Sequence, residues 1–249
     1  PAGFGDGGIG AMNETGIGAQ GGFQVGKAKI NYDLYVSNGP QLAVGKGMFE
    51  GDDPANAGQF NYESYIGNRN SKSVGGRIGF LPFQNSCLEI AYSFQYSAHT
   101  GSKGAVVQYN EYVDSVTANT GSIDYTKVPM HMHDVDINFY HTLPRIKSII
   151  RLTAEYKYQN GGNITYVTEP DSAGYAYRYA YNNISHAYYI TASLRPASVQ
   201  NAILRNFEVA ARFSQFFRPK AAEWAGAAYE AGNLVTPATN IMKFEASLD

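Results

Sequence analysis

Charged side chains recur at every second position along several short stretches of this chain. In "LEIAYSFQY" (Leu88–Tyr96), Glu89 shares its parity with Ala91, Ser93 and Gln95, while Leu88, Ile90, Tyr92, Phe94 and Tyr96 take the other. The same parity rule puts Lys29, Arg77, Arg151, Lys157, Arg195, Arg212 and Lys243 on polar faces of their stretches. It also puts Asp33, Glu89, Asp134, Asp136, Glu155, Glu208 and Glu245 there, with Ser93, Gln95, Asn138, Thr153, Thr191, Ser193 and Ser214 between them. Acids and bases in equal number, separated by small polar residues, do not make a catalytic centre. They make a wet surface of mixed charge, because a protein core does not bury so many ions.

Other groups with chemical potential carry less. "HMHDVD" offers His131, His133, Asp134 and Asp136, but the two imidazoles share one strand face and the two carboxylates the other, so the four cannot meet on one metal. The histidine face continues into Val135, Ile137 and Phe139, which places the pair at an outer rim. "GFGDGG" near the start has dinucleotide-loop spacing without the strand and helix that such a loop needs. No serine, histidine and acid form a recognisable local signature, so the chain reads as a non-enzyme with no cofactor and no metal. "YAYRYAY" (Tyr175–Tyr181), inside a long join, reads as a strand extending above a membrane, or as a tyrosine platform for a glycan or partner.

The elements that position these residues are strands. Side chains alternate with period two over Thr15–Phe23, Lys29–Ser37, Val74–Leu81, Cys87–Ala98, His133–His141, Ile149–Tyr158, Tyr188–Arg195, Phe207–Phe217 and Ile241–Leu248. Helical periodicity is weak; "SVQNAILRNF" (Ser198–Phe207) could make a turn or two. The joins alternate. Those at 24–28, 82–86 and 142–148 are short, and 196–206 is moderate. Those at 38–73, 99–132, 159–187 and 218–240 are long and rich in Gly, Asn, Ser and Tyr. Soluble sheets favour connections of ~4–6 residues, whereas outer-membrane barrels pair short periplasmic turns with long external loops.

A repeat runs through the pattern. "LEIAYSFQY", "IRLTAEYKY" (Ile150–Tyr158) and "FEVAARFSQ" (Phe207–Gln215) recur about sixty residues apart, each after a shorter join. Their sixth positions after the start are Phe94, Tyr156 and Phe213. Aromatics at one height suit a headgroup layer. Phe80, Phe83, Phe139 and Tyr140 would form a second girdle beside the short turns.

Composition agrees. Charged residues make up 16% of 249, below the ~25% of soluble domains, and Tyr (20) and Phe (13) are abundant. The net charge of -2 offers no basic footprint for nucleic acid. One cysteine, Cys87, excludes an intrachain disulfide. Mean hydropathy is -0.31, and no run of ~18 apolar residues exists, so a helical membrane protein is excluded but a membrane barrel is not.

Three stretches, "KINYDLYVSNGPQL" (Lys29–Leu42), "SVGGRIGFLPFQNSCLEIAYSFQY" (Ser73–Tyr96) and "FEVAARFSQFFRPKAAEWAG" (Phe207–Gly226), resemble porins of Bacteroidota in the phosphate-selective porin O and P superfamily. The resemblance spans about Thr15 to Trp224 and rests on sequence texture. It implies a diffusion channel of about sixteen to eighteen strands, often trimeric, in the bacterial outer membrane. Phosphate-selective members use a ladder of lumenal bases; here acids interrupt it. "DSV" (Asp114–Val116) and "DSA" (Asp171–Ala173) also look like the short O-glycosylation signal of Bacteroidota, at Ser115 and Ser172.

The expectation is therefore an all-β protein: a transmembrane antiparallel outer-membrane β-barrel that passes small hydrophilic solutes or ions. Its pore would be lined by Arg77, Glu89, Asp134, Asp136, Arg151, Glu155, Lys157, Arg195, Glu208, Arg212 and Lys243. The alternative is a non-conducting barrel that serves as a structural or partner-binding subunit of a larger envelope complex. The expected partners are outer-membrane lipid, the permeant solutes, and copies of the chain in a homotrimer or a larger assembly. Residues 1–249 read as a single barrel domain, incomplete at one or both ends, because nine strands are odd and too few for an open lumen.

Overall fold

A computed structural model describes residues 15–42, 60–61, 72–100, 106–113, 116–124, 128–167, 178–196, 207–217, 220–225 and 241–248. The chain is all-β. In order, the strands are β1 (Gly16–Val25), β2 (Ala28–Asn38), β3 (Gln41–Leu42), β4 (Phe60–Asn61), β5 (Lys72–Leu81), β6 (Leu88–Ser97), β7 (Val106–Val113), β8 (Val116–Asp124), β9 (Met130–Leu143), β10 (Ser148–Val167), β11 (Arg178–Pro196), β12 (Val209–Phe217), β13 (Lys220–Ala225) and β14 (Ile241–Leu248). A single 3-10 turn, Pro144–Ile146, bridges β9 and β10.

The main sheet has ten strands. Nine follow one path, β1-β2-β5-β6-β9-β10-β11-β12-β14, and β13 pairs with the far end of β11. Every neighbouring pair is antiparallel. These nine are the nine alternating segments of the sequence, in chain order, so the sheet is an up-and-down meander. β1 and β14 are its two edges.

The joins hold more structure than their composition suggests. β3–β4 and β7–β8 are separate hairpins inside the first two long joins. The third is largely absorbed by β10 and β11, which stay paired to Val167↔Arg178 past a bulge at Asn160/Asn163. The second half of the tyrosine run, from Arg178, is strand: it begins β11 and stays paired with β10; Tyr175–Tyr177 lie outside the described residues. So do "GFGDGG", Ser198–Asn206, Asp114, Ser115 and Asp171–Ala173. The β1–β2 turn needs only Gly26 and Lys27, and Gly26 has φ +60°, which glycine takes without a Cβ clash.

Register assigns every strand residue to one of two faces. One runs Tyr32–Ile78–Tyr92–Val135–Tyr156–Tyr188 across six strands, with Ile30–Phe80–Ile90–Ile137–Ala154–Ile190–Phe213 beside it. The other runs Asp33–Arg77–Ser93–Asp134–Lys157. Burial is inverted relative to an ordinary sheet. The apolar face is exposed: Ile78 at 51%, Ile137 at 41% and Ile190 at 54%. Buried strand residues such as Ala91, Met132, Gln95, Gln159, Ser193, Ser214 and Phe216 sit on the charged face instead.

The register also corrects one expectation. Phe139 lies on the apolar face between Leu88 and Leu152, but Tyr140 pairs with Arg151 on the charged face. Its hydroxyl donates to the Asn85 carbonyl at 2.7 Å. Adjacent strand residues cannot share a face, so Tyr140 leaves the girdle. The repeat itself is staggered. Phe94 stands in the row of Tyr158, and Tyr156 in the row of Gln215. Phe94, Tyr156 and Phe213 thus step down by two residues for every two strands. At ~3.3 Å per residue and ~4.8 Å per strand, a line through them is inclined about 35° to the perpendicular of the strands.

Candidate functional site: the charged face of the sheet

Arg77 anchors the first half of the site. On β5 its direct register neighbours are Asp33 and Ser93. Its guanidinium nonetheless donates to Glu89 Oε1 at 2.9 Å on β6, and to Asp136 Oδ1 and Oδ2 at 2.9 and 3.2 Å on β9. β6 contributes only Ala91 and Ser93 to the intervening rows, so the long side chain can cross a whole strand. Gly79 leaves the second gap: a Cβ there would meet Glu89 Oε1 at 2.7 Å and Arg77 Nη1 at 3.2 Å. Asn138 donates to Asp136 Oδ1 at 3.0 Å, holding the carboxylate that Arg77 uses.

Lys157 anchors the second half. Its ammonium lies 2.8 Å from Glu155 Oε1 on its own strand and 3.5 Å from Asp134 Oδ2 on β9. All three side chains are largely shielded, at 10–14% exposure. Glu155 pairs in register with Tyr189 on β11, and the Arg212 guanidinium of β12 lies over the Tyr189 ring at 4.1 Å from its centroid. Acid, base, acid, ring and base therefore follow one another across β9 to β12. Cation–π packing on a ring face suits Arg212 where it is partly desolvated.

The other lining candidates are more dispersed. Arg151 is half exposed and reaches Glu208 at 3.7 Å, just ahead of β12. Arg195 pairs in register with Ile149, near the short-turn end of β11. Lys243 and Glu245 stand opposite Ser214 and Arg212 in the β12–β14 register. The structure thus puts every candidate on one face, and it brings Arg77, Glu89 and Asp136 into one cluster and Asp134, Glu155 and Lys157 into another. Tyr189 and Gly79 join the site without having been singled out in the sequence. Tyr189 shares its parity with Thr191 and Ser193, which was the available signal.

His131 and His133 lie on the apolar face, away from Asp134 and Asp136, as their parity predicts. Among the described residues, no group of three or more His, Cys, Asp and Glu side chains is placed to hold a metal. Nor is any helix there long and apolar enough to cross a membrane, which says nothing of strands. Comparison of the chain with protein-family models, curated proteins and solved structures found no match.

Proposed function

We propose that this chain forms a channel in the outer membrane of a bacterium, through which small hydrophilic solutes and ions diffuse passively. The observation that carries the reading is the inverted burial: an apolar face left exposed across eight strands, β1 to β12 of the main path, with the carboxylates and most of the cations of those strands on the opposite face. An exposed apolar face of that size in water is a severe liability, whereas lipid is its natural solvent. Closing a sheet into a barrel also satisfies its edge groups, which no open edge can do in hydrocarbon. The stagger of Phe94, Tyr156 and Phe213 supports the same geometry. If the three sit at one membrane height, the strands are inclined about 35°, within the roughly 35–45° of membrane barrels.

The mechanism is physical. The charged face lines a wet lumen, and solutes pass according to size and net charge. Arg77 and Lys157 each face two carboxylates, so neither acts as a free anion site. This favours a weakly selective pore over a phosphate-selective one, within the Bacteroidota porin superfamily that the sequence resembles. Recording from the purified protein in planar bilayers tests the reading. Discrete, steady current steps are expected. Stable insertion without steps would favour the non-conducting envelope subunit, and a protein that stays in solution without detergent would overturn the membrane reading itself.

A further inference from the structure

Along the nine strands of the main path the apolar face carries bases and no Asp or Glu; Glu223 of β13, opposite Ala180, stands six residues further along β11 than His186. Lys72 starts β5 on this face and donates to Asn38 Oδ1 at 2.6 Å. His131 and His133 follow on β9, with ring centroids 5.5 Å apart, and His186 lies on β11. The histidines belong to the end of the face nearest the long joins; His141 is the base near the short turns. Phe94, His133, Tyr158, His186 and Phe217 form one register row across five strands, with Tyr96, His131 and Asn160 in the next.

The belt is ordered. His186 stacks on Phe217 at 4.4 Å and His133 on Tyr158 at 6.5 Å. Tyr92 Oη and His133 Nδ1 are 2.6 Å apart. All three histidines remain partly exposed. The ring partners of the three histidines are Tyr92 from β6, Tyr156 and Tyr158 from β10 and Phe217 from β12, with Phe94 and Tyr96 beside them in register. The carboxylates nearest in sequence, Asp134 and Asp136, are on the other side of the sheet.

We propose that this belt binds the phosphate headgroups of anionic lipid in the membrane leaflet that it faces. Imidazole N–H, tyrosine O–H and the Lys72 ammonium supply donors, and no carboxylate stands in the histidine rows to repel the phosphate. Aromatic side chains set the depth, since their amphipathic rings lie at the headgroup level. Protonation of an imidazole adds positive charge, so acid strengthens the attraction. This inference rests on the membrane reading above and adds the lipid that the surface selects.

The test reconstitutes the full chain into nanodiscs of phosphatidylcholine and phosphatidylglycerol and measures boundary-lipid composition by spin-labelled lipid. Preference for phosphatidylglycerol is expected at about pH 8, rising to roughly fivefold at about pH 5.5. A His131→Gln, His133→Gln, His186→Gln variant should lose the pH dependence, and Lys72→Gln should weaken the preference at both pH values. If the triple variant does not fold, the Lys72→Gln comparison and the pH titration of the unaltered protein still decide. Insertion with no preference, or with a preference unchanged by pH, overturns the belt alone. Failure to enter nanodiscs overturns the membrane reading with it.

Discussion

Arg77 illustrates how much of the charged face depends on residues that carry no charge. Its reach to Asp136 requires Ala91 and Ser93 on the strand between, and its bond to Glu89 requires the open space above Gly79. Replacing Arg77 by Gln leaves Glu89 and Asp136 unneutralised. In a salt gradient, the reversal potential should move toward cation selectivity, with a few-fold rise in the cation-to-anion permeability ratio. Gly79→Val crowds the Arg77–Glu89 bridge but keeps every charge, so its reversal potential should move much less than that of Arg77→Gln. An unchanged reversal potential in Arg77→Gln would mean that the Arg77 cluster does not border the ion path. Parity made the candidates legible here. Their pairing was not legible, because it depends on which strands adjoin and on small residues that leave no charge signal.

The nine main strands were legible because each must keep one face apolar over its length, and a period of two survives in sequence even where the segment is short. β3, β4, β7, β8 and β13 lack that one-sided pattern, so composition alone made their stretches read as loops. "QNGGN" in β10 reads as a turn, yet the ladder absorbs it as a bulge at Asn160/Asn163. Tyr140 shows the converse error, where aromatic type was allowed to override parity. The face assignment makes a strand-level prediction. Arg at Ile90 or Leu152, both exposed on the apolar face, should cost roughly 2–4 kcal/mol if they lie near the bilayer midplane. Arg at Ser93 or Thr153, on the charged face, should cost much less. Unfolding by denaturant in lipid vesicles measures both, and equal costs would remove the distinction between faces. In the β1–β2 turn, Gly26→Val should cost about 1–2 kcal/mol through its φ of +60°.

At the scale of the molecule, an inside-out sheet with its ions in pairs would, under the proposed channel reading, line a pore that filters weakly. The expected reversal potential in a salt gradient is small, and phosphate should not block the current. A strongly anion-selective, phosphate-blocked current would mean that Arg151, Arg195 and Arg212 act together as a basic track despite the contacts of Arg151 with Glu208 and of Arg212 with Tyr189. The central claim is that one face meets lipid and the other water. It is tested most directly by placing single spin labels along Leu88–Ser97, in a background with Cys87 replaced by Ala, and reading each label's accessibility in vesicles. Oxygen should reach the labels at Leu88, Ile90, Tyr92, Phe94 and Tyr96, and a water-soluble nickel chelate those at Glu89, Ala91, Ser93 and Gln95, in strict alternation. Nickel access to the first set, or no alternation at all, would contradict the account.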